Sequence, residues 1–105
     1  MSEKKMIPVG MVSVKLVGVL GSAAGTREIS LPIQSCPTVQ QLVSNLLETV
    51  GRKFFKELLV ESGTDDPRPN VIILLNDQDC NVFAGLKTEV EPGTKVTIIP
   101  VAHGG

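Results

Sequence analysis

Tryptophan and tyrosine are absent from this 105-residue chain, phenylalanine occurs three times, cysteine twice and histidine once. Phe54, Phe55 and Phe83 are the only aromatics that could stack on bases, and a formal charge of -1 gives no attraction for phosphates. Together these argue against direct binding of RNA or DNA. One histidine supports no zinc set, and Cys36 and Cys80 are too far apart in sequence for a metal pair or a redox CxxC. No metal is expected, and both thiols read as reduced apolar filler rather than as reactive groups. Long apolar runs are missing too: the longest, Val71 to Leu75, is far too short to span a bilayer. Nothing near Met1 resembles a signal peptide, because Glu3, Lys4 and Lys5 lead into Met6, Ile7 and Pro8. The expectation is a cytoplasmic protein with no membrane partner.

What is present suits one small globular domain: 42% apolar residues and a chain long enough for a single core. Residues 1–10 read as a flexible leader, 11–101 as the domain and 102–105 as a flexible tail. Val12, Val14 and Leu16 alternate with Ser13 and Lys15, and Ile29 and Leu31 with Glu28 and Ser30. This period of two predicts a hairpin, turning through Gly21 to Gly25. Thr38 and Gln41 form a capping box ahead of Val39, Leu42, Val43, Leu46, Leu47 and Val50, which fall on one helical face, and Gly51 is the C-cap. A second helix is expected over Lys53 to Leu59, presenting Phe54, Phe55, Leu58 and Leu59 to the core, or all of these but one phenylalanine, left at the surface. The proline-rich stretch through Pro67 and Pro69 is a surface loop. "VIILLN" is a strand covered on at least one face, and Asn76 to Asp79 turn the chain into a brief strand at Cys80 to Phe83. Asp65, Asp66, Asp77 and Asp79 are turn formers, without the spacing of a calcium loop. A turn at Pro92-Gly93 precedes the last strand, Val96 to Val101. Hairpin, helix and three further strands, with the first and last central in a mixed sheet, give an α+β fold of the β-grasp kind.

The chain ends "PVAHGG". Glycine has no Cβ and loses the most conformational freedom on ordering, so two of them after an apolar strand serve something other than packing. "LLN" at Leu74 to Asn76, Leu86 in "AGLKT", "EPGTKV" at Glu91 to Val96 and "IIPVAHGG" at Ile98 to Gly105 resemble the ubiquitin-like sulfur carriers. That family includes the small subunit of molybdopterin synthase, the thiamine-pathway carrier ThiS and the ubiquitin-related modifier. "HGG" is similar to the modifier branch and "PVA" to the molybdopterin branch, in which an acidic residue often stands where this chain has Thr94.

The resemblance implies a carrier that lacks catalytic groups of its own. Its reacting group is the carboxylate of Gly105, adenylated by a ubiquitin-activating-type adenylyltransferase that consumes ATP, with no cofactor bound to the carrier itself. Sulfur attack on the adenylate leaves a thiocarboxylate, and attack by a lysine amine leaves an isopeptide. A bare Gly104 lets the tail thread a narrow channel. If Val96 and Ile98 face the helix, Ile99 points outward beside the tail, so Ile99, Pro100, Val101, Ala102 and His103 are the expected partner-binding residues. Three roles stay open. The "PVA" tail and the Pro92-Gly93 turn favour the small subunit of molybdopterin synthase, acting with a large subunit in molybdenum cofactor biosynthesis. The others are a carrier for a tRNA thiolation enzyme, which also modifies target-protein lysines, and a β-grasp interaction module without tail chemistry.

Overall fold

The computed structural model describes residues 10–61, 63–64 and 66–101. Residues 1–9 of the leader expected over 1–10 lie outside them, as do Ala102, His103, Gly104 and Gly105. β1 (Met11–Leu16) and β2 (Glu28–Pro32) form the expected antiparallel hairpin, with Val12 opposite Leu31 and Val14 opposite Ile29. Their alternation sends Val12, Val14, Leu16 and Leu31 into the core, while Ser13 on the other face donates to Glu28 Oε2 at 2.6 Å. The connection is more than the turn expected at Gly21 to Gly25. It holds a short helix, α1 (Val19–Ala24), because Leu20 is fully buried and Ala23 and Ala24 pack beside it.

The main helix, α2 (Val39–Val50), begins and ends where its sequence signals lie. Thr38 Oγ1 accepts from the Gln41 amide at 3.2 Å, and Gly51 closes the helix at φ 63° with its N–H donating to the Leu47 carbonyl at 2.9 Å. Val39, Leu42, Val43 and Leu46 are buried, and Leu47 and Val50 pack at the margin of the core. The second predicted helix is α3 (Lys53–Leu59), and of its two phenylalanines Phe54 is the one at the surface rather than in the core. Phe55 and Leu59 are buried and Leu58 partly so, whereas Phe54 is 57% exposed. Phe55, Leu58 and Leu59 cover the inward face of this helix of about two turns, and Phe54, about 100° round the axis from Phe55, falls outside it.

β3 (Val71–Leu75) buries Val71, Ile73 and Leu75 and turns through Asn76 and Asp77, both at positive φ, into β4 (Gln78–Asp79). Paired left-handed residues in a two-residue loop match the twist of the flanking strands, and Asn and Asp tolerate that region best after glycine. The strand expected at Cys80 to Phe83 is not formed. The Asp79 carboxylate instead accepts from the Asn81 amide at 2.8 Å and starts a 3₁₀ turn over Cys80–Val82, which brings Cys80 into the core. A second 3₁₀ turn spans Gly85–Lys87. The Glu91–Thr94 turn then closes with Thr94 N–H and Oγ1 both donating to the Glu91 carbonyl, at 3.1 and 2.7 Å, before β5 (Lys95–Pro100).

The sheet order is β2-β1-β5-β3-β4, with β1 and β5 parallel at its centre and the other pairs antiparallel. This is the expected β-grasp sheet, whose inward residues join those of α2 and α3 in one apolar cluster. Cys36 and Cys80 belong to that cluster as free, buried thiols, and burial raises the pKa of each.

Candidate functional site: the root of the tail

β5 has to deliver the tail in a fixed direction, and hydrogen bonds hold it at both ends. At its start the Asn76 amide donates to the Lys95 carbonyl at 2.9 Å, and the Lys95 amide donates to Asn76 Oδ1 at 3.0 Å. At its end the Val17 amide donates to the Ile98 carbonyl at 3.1 Å on one side, and the Val101 amide to the Asn70 carbonyl at 3.0 Å on the other. Val17 also opens a tight turn in which Gly18 sits at φ 61°, ψ -129°, a conformation that a side chain strains. A Cβ built there would lie 3.8 Å from Pro100 Cγ, so the turn packs directly against the root of the tail. Pro100 has no N–H to extend the ladder, and the strand stops there.

Val96 and Ile98 are fully buried, as the reading of their face required, and Ile99 emerges half-buried on the opposite face. It stands directly across from Ile72, which is 40% exposed, while Thr97 pairs with Leu74. Ile72, Leu74 and Ile99 therefore form an apolar group on the outward face at the edge from which the tail departs. Pro100 and Val101 are half-buried at its end. Ala102, His103, Gly104 and Gly105, the remaining expected site residues, lie outside the described residues. Ile72 and Leu74 were not among the expected site residues. "VIILL" is apolar at every position, so periodicity could not show which residues face outward; pairing Ile72 with Ile99 does.

Among the described residues, no group of three His, Cys, Asp or Glu side chains could hold a metal, and no helix is long and apolar enough to cross a membrane. In the loop before β3, Arg68 donates to both carboxylate oxygens of Asp66, at 2.9 and 2.8 Å. These bonds lower the Asp66 pKa to about 2.

A tail-bearing β-grasp domain of this kind can be set against known proteins. Residues 12–105 match the family model Urm1, ubiquitin related modifier. The chain belongs to this family. Within it, ubiquitin-related modifier 1 of Schizosaccharomyces pombe is 26% identical over 97 residues, covering 90% of this chain and 98% of that protein. The Aspergillus oryzae relative of the same name is 29% identical over 69 residues, covering 66% of this chain, which spans only 56% of the relative's length. A putative sulfur carrier protein of Archaeoglobus fulgidus is 34% identical over 68 residues, covering 65% of this chain and 74% of that one. Among solved structures, Urm1 from Trypanosoma brucei superposes with a TM-score of 0.72 at 26% identity, covering the whole of both chains. The small archaeal modifier protein 1 of Methanosarcina acetivorans gives 0.77 at 25% identity, over 93% of this chain and 99% of that one. The fold is also shared with a chain of the Amycolatopsis orientalis BexX/CysO complex, at a TM-score of 0.70 and 23% identity over 90% of this chain and 99% of that one.

Proposed function

We propose that this chain is a sulfur carrier of the modifier branch, in which the Gly105 carboxylate is the reacting group and the face around Ile99 and Ile72 receives the activating enzyme. The carboxylate oxygen attacks the α-phosphorus of ATP in that enzyme, giving an acyl-adenylate and releasing pyrophosphate. Hydrosulfide then attacks the acyl carbon, AMP leaves with the C–O bonding pair, and Gly105 is left as a thiocarboxylate. Its sulfur is passed on in tRNA thiolation; alternatively a lysine amine of a target protein attacks the acyl carbon of the adenylate, AMP leaves with the C–O bonding pair, and an isopeptide results.

The observation that carries this reading is the family match through residue 105 on a chain ending in Gly104 and Gly105. The held root of the tail supports it, because a channel in a partner can be entered reproducibly only by a tail that leaves the domain in one direction. The apolar group beside that root supplies the contact that would orient the two proteins. Deleting Gly105 should abolish adenylate-dependent exchange of label between pyrophosphate and ATP in the activating enzyme; exchange at the wild-type rate would remove the proposal. The "PVA" tail and the Pro92-Gly93 turn favour a second reading, the small subunit of molybdopterin synthase. Loss of molybdenum cofactor rather than of thiolated tRNA in a deletion strain would select it.

A further inference from the structure

Beyond the β3–β4 turn, the structure holds two bulky apolar side chains out to solvent. Val82 is 70% exposed and Phe83 53%, side by side at the end of the first 3₁₀ turn. The loop that carries them is braced. Thr88 Oγ1 accepts from the Ala84 amide at 2.9 Å and donates to the Cys80 carbonyl at 3.3 Å, and the Phe83 amide donates to that same carbonyl at 3.0 Å. Cys80 beneath them is buried in the core. A braced loop presents its apolar groups at little further entropic cost, which is what a docking surface requires.

Phe83 also walls a groove of about 290 Å³. Glu89 and Glu91 are the charged residues lining it, Leu75, Thr88 and Thr94 are also on its walls, and no lysine or arginine lines it. Asp77 stands next in sequence to two further lining residues, Asn76 and Gln78. The nearest cations in sequence, Lys87 and Lys95, lie outside the lining. A second copy of the chain would bring the same carboxylates together, and a nucleic acid would bring phosphates to them, so both are disfavoured electrostatically.

We propose that this groove is a second protein-docking site, separate from the face around Ile99, and that it takes an extended basic segment of a partner protein, a lysine or arginine beside a bulky apolar residue. The apolar side chain covers Phe83 and Val82, and the cation sits between Glu89 and Glu91. β5 runs away from this end, from Val96 opposite Leu75 to Pro100 opposite Val71, so the groove lies four strand residues, roughly 13 Å, from the root of the tail. A partner bound here leaves the tail free to enter an enzyme.

The test uses the full isotope-labelled chain and a short synthetic peptide alternating lysine and leucine, with a glutamate–leucine peptide as control, followed by amide chemical shifts. Neither ATP nor an activating enzyme is present, so the result is independent of tail chemistry. The lysine peptide should shift Val82, Phe83, Thr88, Glu89 and Glu91. Phe83→Ser should weaken binding about tenfold, and Glu89→Gln with Glu91→Gln should remove its salt dependence. Phe83 is more than half exposed, so its variant should keep the fold; Val82→Ser, more exposed still, is the second probe. Absence of binding, equal binding of the glutamate peptide, shifts confined to Ile72 and Ile99, or concentration-dependent self-association at the loop would each overturn the proposal.

Discussion

Ile99 and Ile72 meet across the outward face of the sheet, Ile72 exposed between buried Val71 and Ile73, and Ile99 half-buried next to fully buried Ile98. If the activating enzyme covers this pair, Ile99→Asp should weaken its binding by roughly 30-fold, the effect of losing about 2 kcal/mol at the centre of an interface. Ile72→Asp should do the same, and circular dichroism should show both variants folded. Wild-type affinity in both would place the interface elsewhere. Three ionisable groups give further readouts. The thiols of Cys36 and Cys80 are held above their ordinary 9.0 by burial, so the folded chain keeps those protons longer than the unfolded one. Their contribution to stability is complete below pH 9.0 and is lost as the pH rises past it, which the urea midpoint should follow downward. The Asp66 carboxyl should titrate near 2 by carbon chemical shift and return toward its ordinary 3.8 in Arg68→Gln. Being exposed, this pair changes overall stability little.

Elements whose signals are local were legible in the sequence. The bounds of α2 follow from Thr38 and Gly51, because a cap is made by residues adjacent to the helix it ends. Thr38→Ala should cost about 1 kcal/mol in chemical denaturation, since it leaves the Gln41 amide without its acceptor. β1, β2, α3 and β5 followed their periodicities to within a residue or so. The misreadings share a different physical origin. α1 forms because Leu20 finds room in the core, and the chain after Asp79 turns because Cys80 does. Neither fact is encoded in the few residues around them. Which phenylalanine stays at the surface was not legible, because two adjacent apolar residues on a short helix do not reveal which of them the core takes.

For the whole molecule, element order was enough for the β-grasp topology, since a hairpin, a helix and a last strand parallel to the first leave few other arrangements. The terminal glycines pointed to the proposed chemistry before any geometry did. The choice among branches was less legible, because "HGG" and "PVA" point different ways; the family match over residues 12–105 favours the modifier branch. The outward group of Ile72, Leu74 and Ile99 emerged only from the register of β3 against β5, as cross-strand contacts are invisible to a reading along the chain. The central claim, that Gly105 is loaded with sulfur, rests on the measurement of intact mass. The chain would be incubated with ATP, sulfide and an adenylating extract from its host, beside a control lacking Gly105. A mass gain equal to the exchange of one oxygen for sulfur, absent from the control, is the predicted result. An unchanged mass under conditions that load an established carrier would contradict it.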